Sequence, residues 1–338
     1  MATLYPPEAL NRAVTLVRTV CKVAGSMSLL DEIDTEARQM GLLPAVSLGK
    51  TPPIFDWLVA AFSYQGISDR VARDYMAKHG TATWAEIATS LQTVPSCPRL
   101  QRYWAYEACR YDQASRSCSE PDHIDGCPVP RHRLRNGRLN QTAYSLFLFV
   151  RDLTDSDLVG WIDRQLATAA AVSASDLEAA RQEALIGPLR NVYGVSDKIL
   201  KMALSPVLIG ARTIRPLWYE AGKVMMAVDT LVHNFLHRTG ILGECGAFHA
   251  YGPACYQQNG CAEIIRAISE RIDARALNPR FPVVFPRFVQ HAIWRFCAAD
   301  GLNLCNGNRI DDRKACEISY CYLRQKCHRT PLKLYKNQ

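Results

Sequence analysis

The sequence lacks any run of about eighteen uncharged apolar residues, the length that a membrane-spanning helix needs. Its N-terminal segment MATLYPPEALNRAVTLVRTV also lacks the core of a signal peptide, because Arg12 and Arg18 interrupt the apolar pattern. No internal repeat of fixed period and no low-complexity tract occurs, which argues against repeat and disordered proteins. We therefore expect a soluble, intracellular protein of the cytoplasm or nucleoid that does not bind a membrane.

Alternating patterns typical of β-strands are also missing. Apolar residues instead recur at helical spacing, as in FDWLVAAFSYQ and KVMMAVDTLVHNFLHRTGIL. Thr83 with Glu86 predicts a capping box, and Gly80 and Gly240 follow predicted helix ends. With 338 residues, 48% of them hydrophobic, the chain can bury one large core or two ordinary ones. The sequence predicts an all-α fold.

Acidic residues are fewer than basic ones, with 32 Asp and Glu against 40 Lys and Arg, which makes an anionic partner plausible. A proline-bounded segment, PVPRHRLRNGR, concentrates the positive charge. Its arginines could bind phosphates, or they could form an ordinary solvated loop. These candidate DNA-binding residues are Arg131, Arg133, Arg135 and Arg138.

The stretch NVYGVSDKILKMALS predicts two helices joined by a tight turn. We expect the first helix to end near Val192, Gly194 to form the turn and Ser196 to cap the second helix. The backbone N–H groups of such a turn, and the positive end of the second helix, can bind a DNA phosphate without reading sequence. Many helical proteins contain such a turn, so this pattern alone identifies no function.

A second stretch downstream, VDTLVHNFLHRTG, gives the hairpin a context. Together with GVSDK it resembles the paired motifs of the helix-hairpin-helix (HhH-GPD) DNA glycosylases, in their endonuclease III-like branch. In that family a lysine follows the hairpin in a GVG-x-K setting and an aspartate opens the VDT helix. The resemblance implies that Lys198 and Asp229 are catalytic, with Arg238 and Gly240 also matching.

A third stretch, PPIFDWLVAAFSYQGISDRVARDY, resembles the first barrel helices of the same family. There a glutamine closes an apolar helix and enters the DNA, which implies that role for Gln65. The chain departs from the pattern at Ser196, which replaces the second hairpin glycine. The segment between hairpin and aspartate is also longer than usual and contains Pro206, Pro216 and Trp218.

The resemblance implies a base-excision DNA glycosylase with AP lyase activity, acting as a monomer on double-stranded DNA. The target base would be flipped out of the duplex, Lys198 would attack C1′ as the free amine, and Asp229 would assist. Lys201 would be a neighbouring charge that helps to lower the pKa of the nucleophile. Lys198 could also be a solvated lysine, and Asp229 simply an N-cap. Two alternatives stay open at this point: a glycosylase for a deliberately modified base, in phage defence or demethylation, and a non-catalytic DNA-binding module.

The resemblance also implies a domain plan. Residues 52–242 would form a six-helix barrel with the hairpin and an unusual cysteine-rich insertion at 97–138. Residues 243–338 would form a C-terminal cysteine-rich helical domain, against which the helices of residues 1–51 pack.

Thirteen cysteines in a chain expected to be intracellular indicate metal or iron–sulfur ligation rather than disulfides. At the chain end, where endonuclease III relatives carry an iron–sulfur loop, four cysteines predict a [4Fe–4S] cluster or zinc, with Cys297 as a substitute ligand. They are Cys305, Cys316, Cys321 and Cys327. A second group, with His123 among its members, predicts another zinc or iron–sulfur site. Its cysteines are Cys97, Cys109, Cys118 and Cys127.

The sequence leaves the role of a third group of cysteines open. It could form a third metal site, stack on a flipped base, or only pack. It comprises Cys245, Cys255 and Cys261, with His249, Tyr251 and Tyr256 nearby. His233 receives no role, and Cys21 is expected to be an ordinary buried cysteine on an apolar helix face.

Overall fold

The computed structural model describes residues 5–24, 29–67, 69–93, 97–132, 134, 137–172, 177–307 and 309–333. The chain is 59% helical, and the described residues form no strand beyond one isolated antiparallel bridge between Asp112 and Ser117. The all-α prediction is therefore confirmed. The chain divides into two compact units, one of residues 1–32 and 223–338 and the other of residues 33–222. These borders differ from those of the domains that the sequence suggested.

Unit 2, residues 33–222, contains most of the helices. They are α2 (Leu29–Gln39, shared with unit 1), α3 (Leu42–Ser47), α4 (Thr51–Phe62), α5 (Asp69–His79), α6 (Trp84–Thr93), α7 (Tyr103–Tyr106), α8 (Gly137–Leu153), α9 (Leu158–Val172), α10 (Leu177–Leu189), α11 (Asp197–Gly210) and α12 (Pro216–Gly222). Helix α4 packs against α11, and α9 packs against α10. The capping box at α6 is present: Thr83 N–H donates to the Glu86 carboxylate at 2.9 Å, and Glu86 N–H donates to Thr83 Oγ1 at 3.3 Å.

Unit 1 joins the N-terminal helix α1 (Pro7–Ala24) to the C-terminal part of the chain. Its other helices are α13 (Thr230–Arg238), α14 (Ile241–Glu244), α15 (Cys261–Ser269) and α16 (Pro286–Cys297). Helix α1 packs its buried face, which includes Leu16 and Val17, against α15 and α16. Helix α13 lies against α16, where the rings of Phe235 and Phe296 meet edge to face at 6.0 Å. These contacts form the apolar core of the unit.

None of the helices that the structure describes is, taken singly, both long and apolar enough to cross a membrane. Helices α1 and α2 pass the same length and composition test only when they are taken together as a bent pair.

Candidate functional site

The predicted hairpin is present between α10 and α11. Gly194 adopts a left-handed conformation with φ of 75° in the exposed turn, as a tight reversal of the chain requires. Helix α10 ends at Leu189, earlier than the predicted end near Val192. Ser196 occupies the N-cap position of α11 in an extended conformation, but its side chain forms no capping hydrogen bond, so this part of the prediction is wrong.

An arginine ties the two arms of the hairpin together. Arg190 donates to Asp197 at 2.7 and 2.8 Å and also forms an ion pair with Glu183 of α10. Its hydrogen bond and charge lower the pKa of Asp197, which is the first residue of α11. The Asp197 carboxylate therefore lies at the positive end of the helix with its charge offset by a guanidinium.

Two lysines lie close together on α11. Lys198 is in the first turn and is half-buried. Lys201, about one turn further along, is only 6% exposed, and burial lowers its pKa to about 8, although the negative charge of Asp197 acts in the opposite direction. Lys201 is thus an amine with a large neutral fraction at mildly alkaline pH, a property that sequence reasoning did not assign to it.

Gln65 lies in a turn beyond Phe62, the last residue of α4. Its side-chain amide nitrogen donates to the carbonyl oxygen of Gly194 at 3.4 Å. The structure therefore brings two of the three matched segments into contact, the glutamine and the hairpin turn.

Asp229 is the N-cap of α13, where its carboxylate accepts a hydrogen bond from the N–H of Val232 at 2.9 Å. Gly240 follows the same helix with φ of 86°. Lys198 belongs to unit 2 and Asp229 to unit 1.

The basic segment is described only in part. Arg131 is exposed at the end of a short 3-10 helix, Val129–Arg131. Arg133 and Arg135 lie outside the described residues, as does the side chain of Arg138 in the first turn of α8.

All thirteen cysteines are free thiols. We call the group at the chain end, Cys305, Cys316, Cys321 and Cys327, the C-terminal tetrad. Burial raises the pKa of Cys327 to about 11, and the charges of the other three cysteines add to this effect, which shows that the four thiols are neighbours. Backbone N–H groups two residues downstream bond to Cys321 and Cys327, the latter at 3.3 Å from Arg329.

Arg238 is a buried charge beside this tetrad. It is 1% exposed and donates to Asp312 at 3.0 Å, while its Nε and Nη1 atoms have no hydrogen-bond partner among the described residues. The pKa of Cys305 is lowered by a hydrogen bond with Cys297 and also by the positive charge of Arg238. Cys297, the candidate substitute ligand, is itself buried beside Cys305.

The N-terminal tetrad, Cys97, Cys109, Cys118 and Cys127, has the same construction. The pKa of Cys127 is raised to about 11 by burial, and the charges of the other three cysteines raise it further. Backbone N–H groups two residues downstream bond to three of its sulfurs, one of them from Glu120 to Cys118 at 3.4 Å. Such N–H···S bonds favour the thiolate, which is the form that binds metal. His123 lies in the 3-10 helix Pro121–His123 of the same segment.

A tighter group, which we call the His/Cys site, lies in unit 1. The ligand atoms of His233, His249, Cys255 and Cys261 all lie within 4.8 Å of one another, and together they could hold one metal ion. In the described parts of the chain, neither cysteine tetrad brings three ligand atoms this close together.

Sequence reasoning named three members of the His/Cys site but missed His233. Its position on α13 reveals nothing by spacing, because the other three residues come from the segment that follows α14. Of the three roles that the sequence left open, metal site, base stacking and packing, the closeness of the ligand atoms favours the metal site for Cys255 and Cys261. Cys245 lies outside the group. Cys21 is buried in α1 as expected, and burial raises its pKa to about 12.

No protein-family model, no curated protein and no solved structure matches this chain. Membership in the helix-hairpin-helix glycosylases therefore stays a prediction that rests on the motifs and on the local geometry described above.

Proposed function

We propose that the chain is a base-excision DNA glycosylase with AP lyase activity. The observation that carries the proposal is the hairpin itself: a left-handed Gly194 precedes α11, Lys198 lies in the first turn of that helix, and Gln65 contacts the turn. These are the positions that a phosphate-binding turn, an amine nucleophile and a DNA-entering side chain would occupy.

The start of α11 supports phosphate binding. The first N–H groups of a helix have no partner within the helix, and the Ser196 side chain does not cap them. A phosphate oxygen could accept hydrogen bonds from these N–H groups, and the positive end of the helix dipole would stabilise its negative charge. The nearby carboxylate of Asp197 opposes an anion, but its pairing with Arg190 offsets that charge.

Lys198 would act on the sugar of the flipped nucleotide. Its neutral amine attacks C1′, the glycosidic bond breaks, and the base departs after taking up a proton. The amine then loses a proton while the C1′–O4′ bond opens and O4′ takes up a proton, which gives the Schiff base. This intermediate loses a proton from C2′, and the C3′–O bond breaks so that the 3′ phosphate leaves by β-elimination. The ionised carboxylate of Asp229 would stabilise the positive charge that develops on the sugar as the base departs.

Borohydride trapping tests this proposal, because borohydride reduces a Schiff base to a stable covalent bond. Wild type, Lys198→Ala and Lys201→Met are incubated with a duplex containing an abasic site, with several modified-base duplexes and with an undamaged duplex. Lys201→Met is the comparison variant, since Lys201 is the other lysine of the same helix and the alternative nucleophile. We expect a covalent complex for wild type and Lys201→Met, and none for Lys198→Ala.

Each other outcome corrects a different part of the proposal. A complex lost only in Lys201→Met would keep the lyase chemistry but move the nucleophile to the buried lysine. A wild-type protein that binds the duplexes but is never trapped would contradict the lyase activity and favour a non-catalytic DNA-binding module. Trapping on one modified base alone would favour the alternative of a glycosylase for a deliberately modified base.

We also propose that the C-terminal tetrad binds a [4Fe–4S] cluster. Its thiols are neighbours but do not come as close together as ligands of one ion, which fits a larger inorganic core better than zinc. A cluster with four thiolate ligands carries net negative charge. The buried guanidinium of Arg238, two of whose atoms lack a hydrogen-bond partner among the described residues, would offset it.

The thiols of the N-terminal tetrad are also neighbours that do not come as close together as the ligands of one ion, so we propose a second cluster there. Protein purified without oxygen would then be brown and contain about eight irons per chain, or about four if only one tetrad binds a cluster. Cys316→Ala and Cys118→Ala should each lose about half of the iron, whereas the control Cys21→Ala should lose none. Colourless protein that contains only zinc would show that both assignments are wrong.

A further inference from the structure

We propose that His233, His249, Cys255 and Cys261 bind one Zn²⁺ ion, and that this ion fastens the 249–261 segment to helix α13. The inference goes beyond the proposed function, and the metal site itself does not depend on it.

The distances within the site fit a single tetrahedral ion. Zinc with nitrogen ligands at about 2.0 Å and sulfur ligands at about 2.3 Å separates adjacent nitrogen and sulfur atoms by about 3.5 Å. The Sγ of Cys261 lies 3.3 Å from Nδ1 of His233 and 3.3 Å from Nε2 of His249. The Sγ of Cys255 lies 3.6 Å from Nδ1 of His233. Three edges of the tetrahedron therefore have nearly the length that zinc requires.

The charge and orientation of the ligands fit the same ion. Nδ1 of His249 lies 2.7 Å from the carbonyl oxygen of Ala247, so it carries the proton and leaves Nε2 as the ligand atom. Two thiolates and two neutral imidazoles around Zn²⁺ give no net charge. A neutral site is what burial demands, because Cys255 and Cys261 are fully buried and His233 is 4% exposed.

Other uses of this group fit less well. A two-iron cluster with two histidines and two cysteines binds the histidines to one iron and the cysteines to the other, which would separate nitrogens from sulfurs. Here each sulfur contacts a ring nitrogen. A nucleophilic cysteine must be reached by a substrate, whereas both thiols are fully buried. Four protein ligands leave no open position, which indicates a structural rather than a catalytic zinc.

The bound ion would hold the start of α13 in place. Cys255 and Tyr256 are adjacent in one 3-10 helix, Pro253–Tyr256. The Tyr256 hydroxyl accepts a hydrogen bond from the N–H of Val228 at 2.8 Å, while Cys255 contacts His233. The segment is thus attached to the chain on both sides of Asp229. On the proposed function, this arrangement positions the carboxylate that faces the sugar.

Zinc content and cobalt substitution test the site directly. Full-length wild type, Cys255→Ser and His249→Ala are compared with Cys245→Ser, a buried cysteine of the same region outside the group. We expect wild type and Cys245→Ser to hold one zinc equivalent more than the other two variants. Cobalt in that site should give the visible spectrum of a tetrahedral ion with two thiolate ligands, absent from Cys255→Ser. Equal zinc content in all four proteins would overturn the proposal.

Hydrogen exchange tests the structural role of the ion. It uses the wild-type protein, so the result does not depend on whether a variant folds. We expect a chelator to speed exchange in the peptide that contains the amides of Val228 and Val232, and added Zn²⁺ to reverse this. Unchanged exchange there would overturn the claim that the ion holds α13. A protein that passes both tests but is never trapped on abasic DNA would contradict the proposed function and leave the zinc site standing.

Discussion

The carboxylate of Asp229 accepts a hydrogen bond from the backbone N–H of Val232 at 2.9 Å. The same side chain therefore caps α13 and, on the proposed function, supplies negative charge to the sugar. Substitutions can separate these two roles, because asparagine caps a helix about as well as aspartate but carries no charge.

We predict that Asp229→Asn keeps the stability of wild type within about 0.5 kcal/mol and lowers the rate of base excision by about 100-fold or more. Asp229→Ala should lose the excision activity too and also cost about 1 kcal/mol of unfolding free energy, because the cap is gone. Urea unfolding and single-turnover excision measure the two effects. An asparagine variant with the wild-type rate would show that Asp229 is only a cap.

Gly194 gives a second prediction. A Cβ atom at this position would lie 2.9 Å from Thr142 Oγ1, and the φ of 75° is unfavourable for alanine. We expect Gly194→Ala to cost about 1–3 kcal/mol of unfolding free energy and to weaken the binding of an abasic duplex, because the turn must shift.

The double variant Gly194→Ala with Thr142→Ala separates the two causes. It removes the contact but keeps the backbone strain, so we expect it to recover part of the loss relative to Thr142→Ala alone. Fluorescence anisotropy of the labelled duplex follows the binding. Gly194→Ala protein with wild-type stability and affinity would show that the turn does not approach DNA in the way we propose.

The sequence predicts much of the local structure of this chain. Helical periodicity gives the fold class, and the spacing of Thr83 and Glu86 gives a capping box that the structure contains. The sequence predicts the end of α10 too late. Val192 lies in the turn after the helix but is only 2% exposed, so it continues the apolar pattern of the helix. A side chain buried by tertiary contact looks the same in a sequence as one buried on a helix face.

The candidate site is predicted less completely, for a physical reason. The sequence can propose Lys198, Asp229 and the cysteine tetrads as candidates, because each lies within one local segment. The His/Cys site joins a residue of α13 to the 249–261 segment beyond α14, so no local pattern includes His233. The depressed pKa of Lys201 arises from burial, which a helical pattern with a lysine on its apolar face does not reveal.

Lys201 gives a prediction about pH. Its pKa is about 8 in the folded protein and 10.5 in the unfolded chain, so the unfolded chain binds more protons between these values. The free energy of unfolding should therefore contain a contribution that rises as pH increases from about 8 to 10.5. The difference in pKa corresponds to at most about 3 kcal/mol.

Lys201→Met removes this group and keeps a side chain of similar length. We expect the variant to be more stable than wild type at pH 7, by about 1–2 kcal/mol, and this advantage to shrink toward pH 10. Urea unfolding at several pH values measures it, with Lys198→Met as a control on the same helix. An advantage that does not change with pH would show that burial does not oppose the charge of Lys201.

Gly240 and Gly80 form a matched pair for the last prediction. Both follow helices with positive φ, 86° and 72°, but a Cβ at Gly80 would meet open space, whereas one at Gly240 would overlap the ring of His328. His328 directly follows Cys327 of the C-terminal tetrad, and its Nε2 atom lies 3.1 Å from Oε1 of Glu244. Gly80→Ala should therefore cost about 1 kcal/mol, from the backbone alone.

Gly240→Ala should cost more, about 2–3 kcal/mol, because the His328 ring must move and pull on the cysteine beside it. If the C-terminal tetrad binds the proposed cluster, Gly240→Ala should contain less iron after anaerobic purification than Gly80→Ala. Thermal unfolding and iron analysis of the two variants measure this. If both lose the same stability and hold the same iron, the contact between Gly240 and His328 does not hold the cysteine loop in place. A greater loss of stability with unchanged iron would show that the contact stabilises the fold but is not needed to retain the cluster.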